Sequence, residues 1–207
     1  MKSKSFESFL ARESGLYSDM VTRFQKLRDF GLISKARGRN AEYLTPEEIV
    51  AGIFSVVAER PGFAAVTAIG LLKMLPVGLP EDAFGGAPTL CEAVVRSLTD
   101  DALRETLVEI RLGDSDPQAR NSTTAAIVYR SGDQILTSYY IGDTAVSQFA
   151  KGKEKTFNRG AVGEFSITRD TVISHRLIQN IARSMKEAEK YRHLEEQIEQ
   201  ASGKPAG

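Results

Sequence analysis

Phe9-Leu-Ala-Arg-Glu-Ser-Gly-Leu-Tyr-Ser-Asp-Met-Val-Thr-Arg-Phe-Gln-Lys-Leu27 holds two helical patterns on either side of one glycine. Upstream, Phe6, Phe9 and Leu10 fall at helical spacing, which predicts a short helix over 5–13 closed near Gly15. Downstream, Ser18 is placed to cap a second helix in which Val21, Phe24, Leu27 and Arg28 follow helical spacing and which Gly31 ends. The polar face of that helix presents Asp19, Thr22, Arg23 and Lys26.

After Leu32-Ile33, the run Ser34-Lys-Ala-Arg-Gly-Arg-Asn-Ala-Glu-Tyr-Leu44 has a turn-forming centre between short extended arms, the pattern of a small basic hairpin. Thr45-Pro-Glu-Glu48 then puts a capping threonine before a proline at the first helical position, with a glutamate three residues on to close a capping box. The helix it starts carries Ile49, Ile53, Phe54, Val56 and Val57 inward and is predicted to reach Glu59.

The opening stretch resembles a helix-turn-helix: Ala11 is small where two helices would cross, Gly15 sits where the turn wants a left-handed residue, and Val21 would point into the small core. Its continuation is similar to the winged-helix region of MerR-type and excisionase-like regulators. There a helix ends at Gly-Leu-Ile/Leu, a basic wing reads Gly-x-Arg-x-Tyr, and a capped Thr/Ser-x-Glu-Glu/Asp-Ile/Leu starts the next helix. Gly31-Leu32-Ile33, Arg39 with Tyr43, and Thr45 to Ile49 match those pieces. The stretch also resembles winged-helix proteins of prophages and mobile elements. The resemblance spans residues 5–58; beyond it, an alanine-rich segment broken by Pro61 departs from the long dimer helix of MerR-type proteins.

The resemblance implies that the helix over 18–30 enters the major groove with Ser18, Asp19, Thr22 and Arg23 facing base edges. Lys26, Lys35, Arg37 and Arg39, with Asn40 in the wing, would hold phosphates or reach a minor groove.

Charge agrees with such a polarity. The total is balanced, 27 basic against 27 acidic residues. Residues 1–45 nevertheless carry net +4, residues 46–118 net −7 and residues 119–207 net +3. Within 21–41, Arg23, Lys26, Arg28, Lys35, Arg37 and Arg39 are opposed by Asp29 alone. Such a stretch suits a phosphate backbone, which the acidic middle would repel.

The rest of the chain predicts an apolar helix over 64–75, a proline- and glycine-rich loop or hinge over 76–88, and helices over 89–98 and 99–108. Strands are predicted at 109–112, 124–130 and 134–141, with Ser131-Gly132-Asp133 as the turn between the last two. A turn-rich gap over 142–160, a short strand at 162–167 and one long helix over 170–201 follow. The fold expected is α+β: an N-terminal winged helix-turn-helix over 1–60, a helix and hinge loop over 61–88, and an α+β domain over 89–207. That last domain holds a small antiparallel β-region and ends in a long helix for dimerisation or sensing.

With 42% hydrophobic and 26% charged residues in 207, the chain has the composition of a globular protein. One cysteine, Cys91, requires no oxidising compartment and reads as a buried thiol. The start lacks a signal-peptide apolar stretch and no run is apolar enough to span a membrane, so a cytoplasmic protein is expected. His175 and His193 stand 18 residues apart on one predicted helix and cannot share a metal within one chain. No P-loop, dinucleotide fingerprint or paired-cysteine spacing occurs. No enzyme, cofactor or metal is therefore expected.

The function expected is a sequence-specific DNA-binding transcriptional regulator, repressor or activator, acting on double-stranded DNA as a homodimer and of phage or mobile-element type. The alternative is a winged-helix adaptor or architectural component of a phage or recombination complex without its own sequence preference. A small-molecule effector is left open by the aromatic residues Tyr129, Tyr139, Tyr140, Phe149, Phe157 and Phe165, for which core packing is the simpler reading.

Overall fold

The computed structural model describes residues 1–35, 42–113, 124–142 and 170–201. Helices α1 (Ser3–Ser14) and α2 (Tyr17–Asp29) are joined by Gly15 and Leu16. Gly15 has φ 72° and open space where a side chain would project, so conformation rather than crowding requires glycine there. Of the residues whose spacing predicts α1, Phe6 and Leu10 are buried and Phe9 is half-buried, and Ala11 is buried beside them.

α2 is rotated from the predicted face. Met20, Arg23, Phe24 and Leu27 are buried, while Val21 is 62% exposed. Phe24 packs edge-on against Phe6 at 5.8 Å and so fixes the phase of the helix. At about 100° per residue the stripe centred between Phe24, Met20 and Leu27 takes in Arg23 and turns Val21 out. Ser18 does not cap the helix: Leu16 holds that position, and the Ser18 hydroxyl donates to Asp19 at 3.1 Å.

α3 (Pro46–Ser55) begins with the predicted capping box. Thr45 Oγ1 accepts from the Glu48 amide at 3.3 Å, and Glu48 Oε2 accepts from the Thr45 amide at 2.9 Å. Glu48 Oε1 also accepts from the Ser34 amide at 2.6 Å, so one carboxylate ties α3 to the segment that follows α2. Thr45→Ala is expected to cost ~1 kcal/mol in denaturant unfolding with an unchanged slope. A cost within error of zero would mean that the cap adds nothing to stability.

Ile49 to Ser55 are all buried, so α3 is the central rod, with α1, α2, α4 (Ala64–Leu72) and α5 (Leu90–Thr99) packed around it. It stops at Ser55, short of the predicted Glu59. The apolar helix expected over 64–75 is shorter as well. A 3-10 turn, Pro61–Phe63, packs on α2 before it, and a two-residue strand, β1 (Leu75–Pro76), follows it.

The stretch 76–88, expected to be a hinge, is instead stitched to the sheet. Val77 donates its amide to the Tyr139 carbonyl at 2.8 Å and Phe84 donates its amide to Ser138 Oγ at 2.8 Å. Phe84 and Ala87 are buried, and the Phe84 ring lies 5.1 Å from that of Tyr129. One cluster of buried side chains runs from Phe6 to Ile181, so the expected boundary at 88/89 divides no core. Proline and glycine content marks irregular backbone, not freedom to move.

Thr89 caps α5, and Asp100 caps the short α6 (Asp101–Thr106) by accepting from the Ala102 and Leu103 amides. Strands β2 (Leu107–Gly113), β3 (Thr124–Ser131), β4 (Gln134–Ile141) and β5 (Asp170–Ser174) complete an antiparallel sheet of order β1-β4-β3-β2-β5. Gly132 turns the β3–β4 hairpin at φ 59°. Ile110, Leu112, Ala125, Ile127, Tyr140 and Ile173 form the buried face.

β5 falls where the long helix was expected to begin. Thr171-Val172-Ile173 is β-branched, pairs with β2 in the register Ile110↔Ile173, and alternates exposed Val172 with buried Ile173. The terminal helix, α7 (His175–Ala201), therefore starts at His175 and buries Ile178, Ile181 and Ala182 against the sheet and α5. The predicted strand over 162–167 and Phe149, Phe157 and Phe165 lie outside the described residues.

At the end of its packed half, α7 is clasped by Lys186, whose ammonium donates to Asp101 Oδ1 at 2.7 Å; Arg104 pairs with the same carboxylate. The bonds from Lys186 and then Arg104 hold the Asp101 carboxyl below its ordinary range. A carboxyl depressed in the folded state contributes stability at neutral pH and loses it as pH falls below ~4. Asp101→Asn should flatten that acid limb of the unfolding profile, and an unchanged limb would place the titration elsewhere.

Candidate nucleic-acid interface

The basic stretch from 21 to 41 is the predicted site, and folding divides it. Arg23 is 1% exposed. Its Nη1 donates to the Ser55 carbonyl at 2.6 Å, its Nη2 lies 3.8 Å from Asp19, and its buried Nε has no hydrogen-bond partner among the described residues. Burial lowers its pKa and the Asp19 carboxylate opposes that shift. The Ser55 carbonyl belongs to the last turn of α3, where backbone acceptors are left over and positive charge is favoured. Arg23 thus closes a helix end and, in this fold, does not reach a base edge.

Arg28 is likewise committed, donating to Ser3 Oγ at 3.0 Å and to Glu7 at 3.2 Å across α1, with its guanidinium 5.8 Å over the Phe24 ring. Lys26 is half-buried and Lys35 exposed. Arg37, Arg39 and Asn40 lie outside the described residues. Among the described residues, two of the four cations in this stretch are therefore spent on packing α2 against its neighbours.

What α2 shows to solvent is a short polar row edged by apolar groups. Ser18 and Thr22 are exposed one turn apart, Asp19 is half-buried beside them, and Gln25 donates to Asp29 at 2.8 Å further along. Tyr17 and Val21, 65% and 62% exposed, flank that row. Neither is legible in the sequence, since helical spacing puts Val21 in the core and Tyr17 precedes the helix start expected at Ser18.

Cys91, Glu48, Asp100 and His193 sit in structural contacts, whereas His175 has a buried Nδ1 with no hydrogen-bond partner among the described residues. Cys91 is half-buried, and burial, with Glu47 and Glu92 nearby, pushes its thiol up to about 11, leaving it protonated at neutral pH. Glu48 and Asp100 are caps, and His193 lies 3.5 Å from Glu196. Among the described residues, no group of histidine, cysteine and carboxylate side chains is placed to hold a metal ion, and no helix is long and apolar enough to cross a membrane. No protein-family model matches the chain, and neither a curated protein nor a solved structure does.

Proposed function

We propose that the chain is a DNA-binding transcriptional regulator of the winged-helix kind, working in the cytoplasm as a homodimer, with α2 as the helix that enters the major groove. The observation that carries this reading is the two-residue turn at Gly15, which leaves Ser18 and Thr22 exposed on α2 directly upstream of the basic segment with Lys35, Arg37 and Arg39. A major groove ~12 Å wide admits such a helix. Hydroxyl side chains there accept or donate to base edges, and Val21 suits the thymine methyl. Lys26, Lys35, Arg37 and Arg39 supply phosphate contacts that bring affinity without sequence information. One such module buries too little surface for tight specific binding, so two copies on a palindromic site are expected.

The second reading, an adaptor or architectural component without sequence preference, is favoured by exposed Tyr17 and Val21 and by the loss of Arg23 from the reading face. A selection of genomic fragments with the purified chain, followed by titration of the winning site and scrambled duplex at two salt concentrations, separates the two. A palindromic winner preferred ~10³-fold is the result expected. Thr22→Ala should then change base preference, while Lys35→Ala should weaken every duplex alike and reduce the salt slope by about one. Salt-sensitive binding without preference would favour the adaptor, and no binding would overturn both.

A further inference from the structure

The distal turns of α7 reach across the molecule to the chain's other end. Beyond Met185 the helix buries no large side chain among the described residues, and Tyr191 and Leu194 are 65% and 53% exposed. Yet the Tyr43 hydroxyl donates to Glu195 Oε2 at 3.4 Å. Tyr43 is tied to the same junction from the other side. It forms an antiparallel bridge with Lys2, whose ammonium lies 5.3 Å from the centre of its ring, and the Leu44 amide donates to the Met1 carbonyl at 2.9 Å.

Tyr43 lies at the downstream foot of the basic segment that joins α2 to α3, so α7 delivers the Glu195 carboxylate to that foot, with Arg192 of the same helix acting on Tyr43 in the opposite sense. Glu196 is near Arg192 at 3.7 Å and His193 at 3.5 Å. Glu195 has no cation within ion-pair distance among the described residues, and it spends its charge on a phenol. A phosphate backbone brought to Lys2, which lies against Tyr43, would come within a Debye length, ~8 Å, of that charge and be repelled by it. Releasing the distal turns uncovers no core, so the contact can be broken locally at small cost.

We propose that the distal turns of α7 are an acidic strap that competes with nucleic acid for the foot of the basic segment, Glu195 on Tyr43 being its latch. The proposal rests on the DNA-binding reading above. In the free protein the strap is docked; on duplex DNA it lifts, and affinity is lower than the cations alone would give.

The test uses full-length chains throughout: wild type, Glu195→Gln, Tyr43→Phe, and Glu187→Gln as a control that removes the same charge about 12 Å back along the helix. Duplex affinity is measured at low and high salt, and amide hydrogen exchange over 190–197 is followed with and without duplex. Glu195→Gln should bind about threefold more tightly at low salt and equally at high salt, while Glu187→Gln stays within twofold of wild type. Tyr43→Phe without DNA, and wild type with DNA, should both exchange faster over 190–197. If wild type binds duplex but Glu195→Gln gains no more than Glu187→Gln, or if duplex slows exchange there, the strap is overturned and the DNA-binding reading stands. If neither wild type nor any variant binds duplex, both fall.

Discussion

Arg23→Ala is expected to lower the melting temperature by about 10 °C rather than to relax base preference. Truncating a fully buried long side chain costs ~2–5 kcal/mol and leaving a buried acceptor unmet ~1–3 kcal/mol, while for a chain of this size 1 kcal/mol moves the midpoint by ~2–4 °C. Two losses combine. The side chain is enclosed, so alanine leaves a cavity between α2 and α3. The Ser55 carbonyl, a partner at 2.6 Å, is left without its donor at the end of a helix that is itself buried all round.

Arg23→Met separates the two losses, because it refills the stem, removes the desolvated guanidinium and leaves only the carbonyl unmet. It should lose about half as much. Thermal melts followed by circular dichroism decide the matter, with duplex binding compared well below every midpoint. A wild-type midpoint for Arg23→Ala together with lost base preference would put the guanidinium in the groove and refute its placement against α3.

Gly52→Ala should be the next most damaging change, although alanine is the better helix former by ~1 kcal/mol. A methyl at Gly52 would stand 2.5 Å from Phe6 Cε1, with Phe6 Cζ at 3.3 Å and Phe24 Cζ at 3.4 Å. Both rings are fully buried and hold each other edge-on, so neither can withdraw without disturbing the α1–α2–α3 contact. Overpacking costs ~1–3 kcal/mol or more, and the lost ring geometry adds ~1 kcal/mol, so the clash outweighs the propensity gain. A net loss of ~2 kcal/mol is expected in urea unfolding.

Adding Phe6→Leu should restore part of that loss, giving a coupling of ~1 kcal/mol in the double-mutant cycle. A Gly52→Ala chain as stable as wild type would show that α1 repacks freely, and the proposed reading surface on α2 would then lack a rigid mount.

The devices legible along the chain are those in which a few neighbouring residues hold both partners of an interaction. Thr45 and Glu48 form their box, Gly15 takes the left-handed turn and Gly132 the hairpin, because each satisfies backbone groups within a few residues. The face of α2 was readable only approximately. Helical periodicity counts an arginine as polar and cannot register that α3 ends opposite Arg23, 32 residues away, with a carbonyl to satisfy.

β5 shows the same limit from the strand side. Thr171-Val172-Ile173 fits a helix or a strand in isolation, and pairing with β2 some 60 residues earlier chooses the strand. The meeting of Glu195 with Tyr43 spans 152 residues and had no local signal at all. Caps and turns are short-range contests that a chain resolves within a turn of helix. Which face is buried, which cation is consumed and which distant segments touch are decided when the whole core closes, since only then is there an inside for a side chain to occupy.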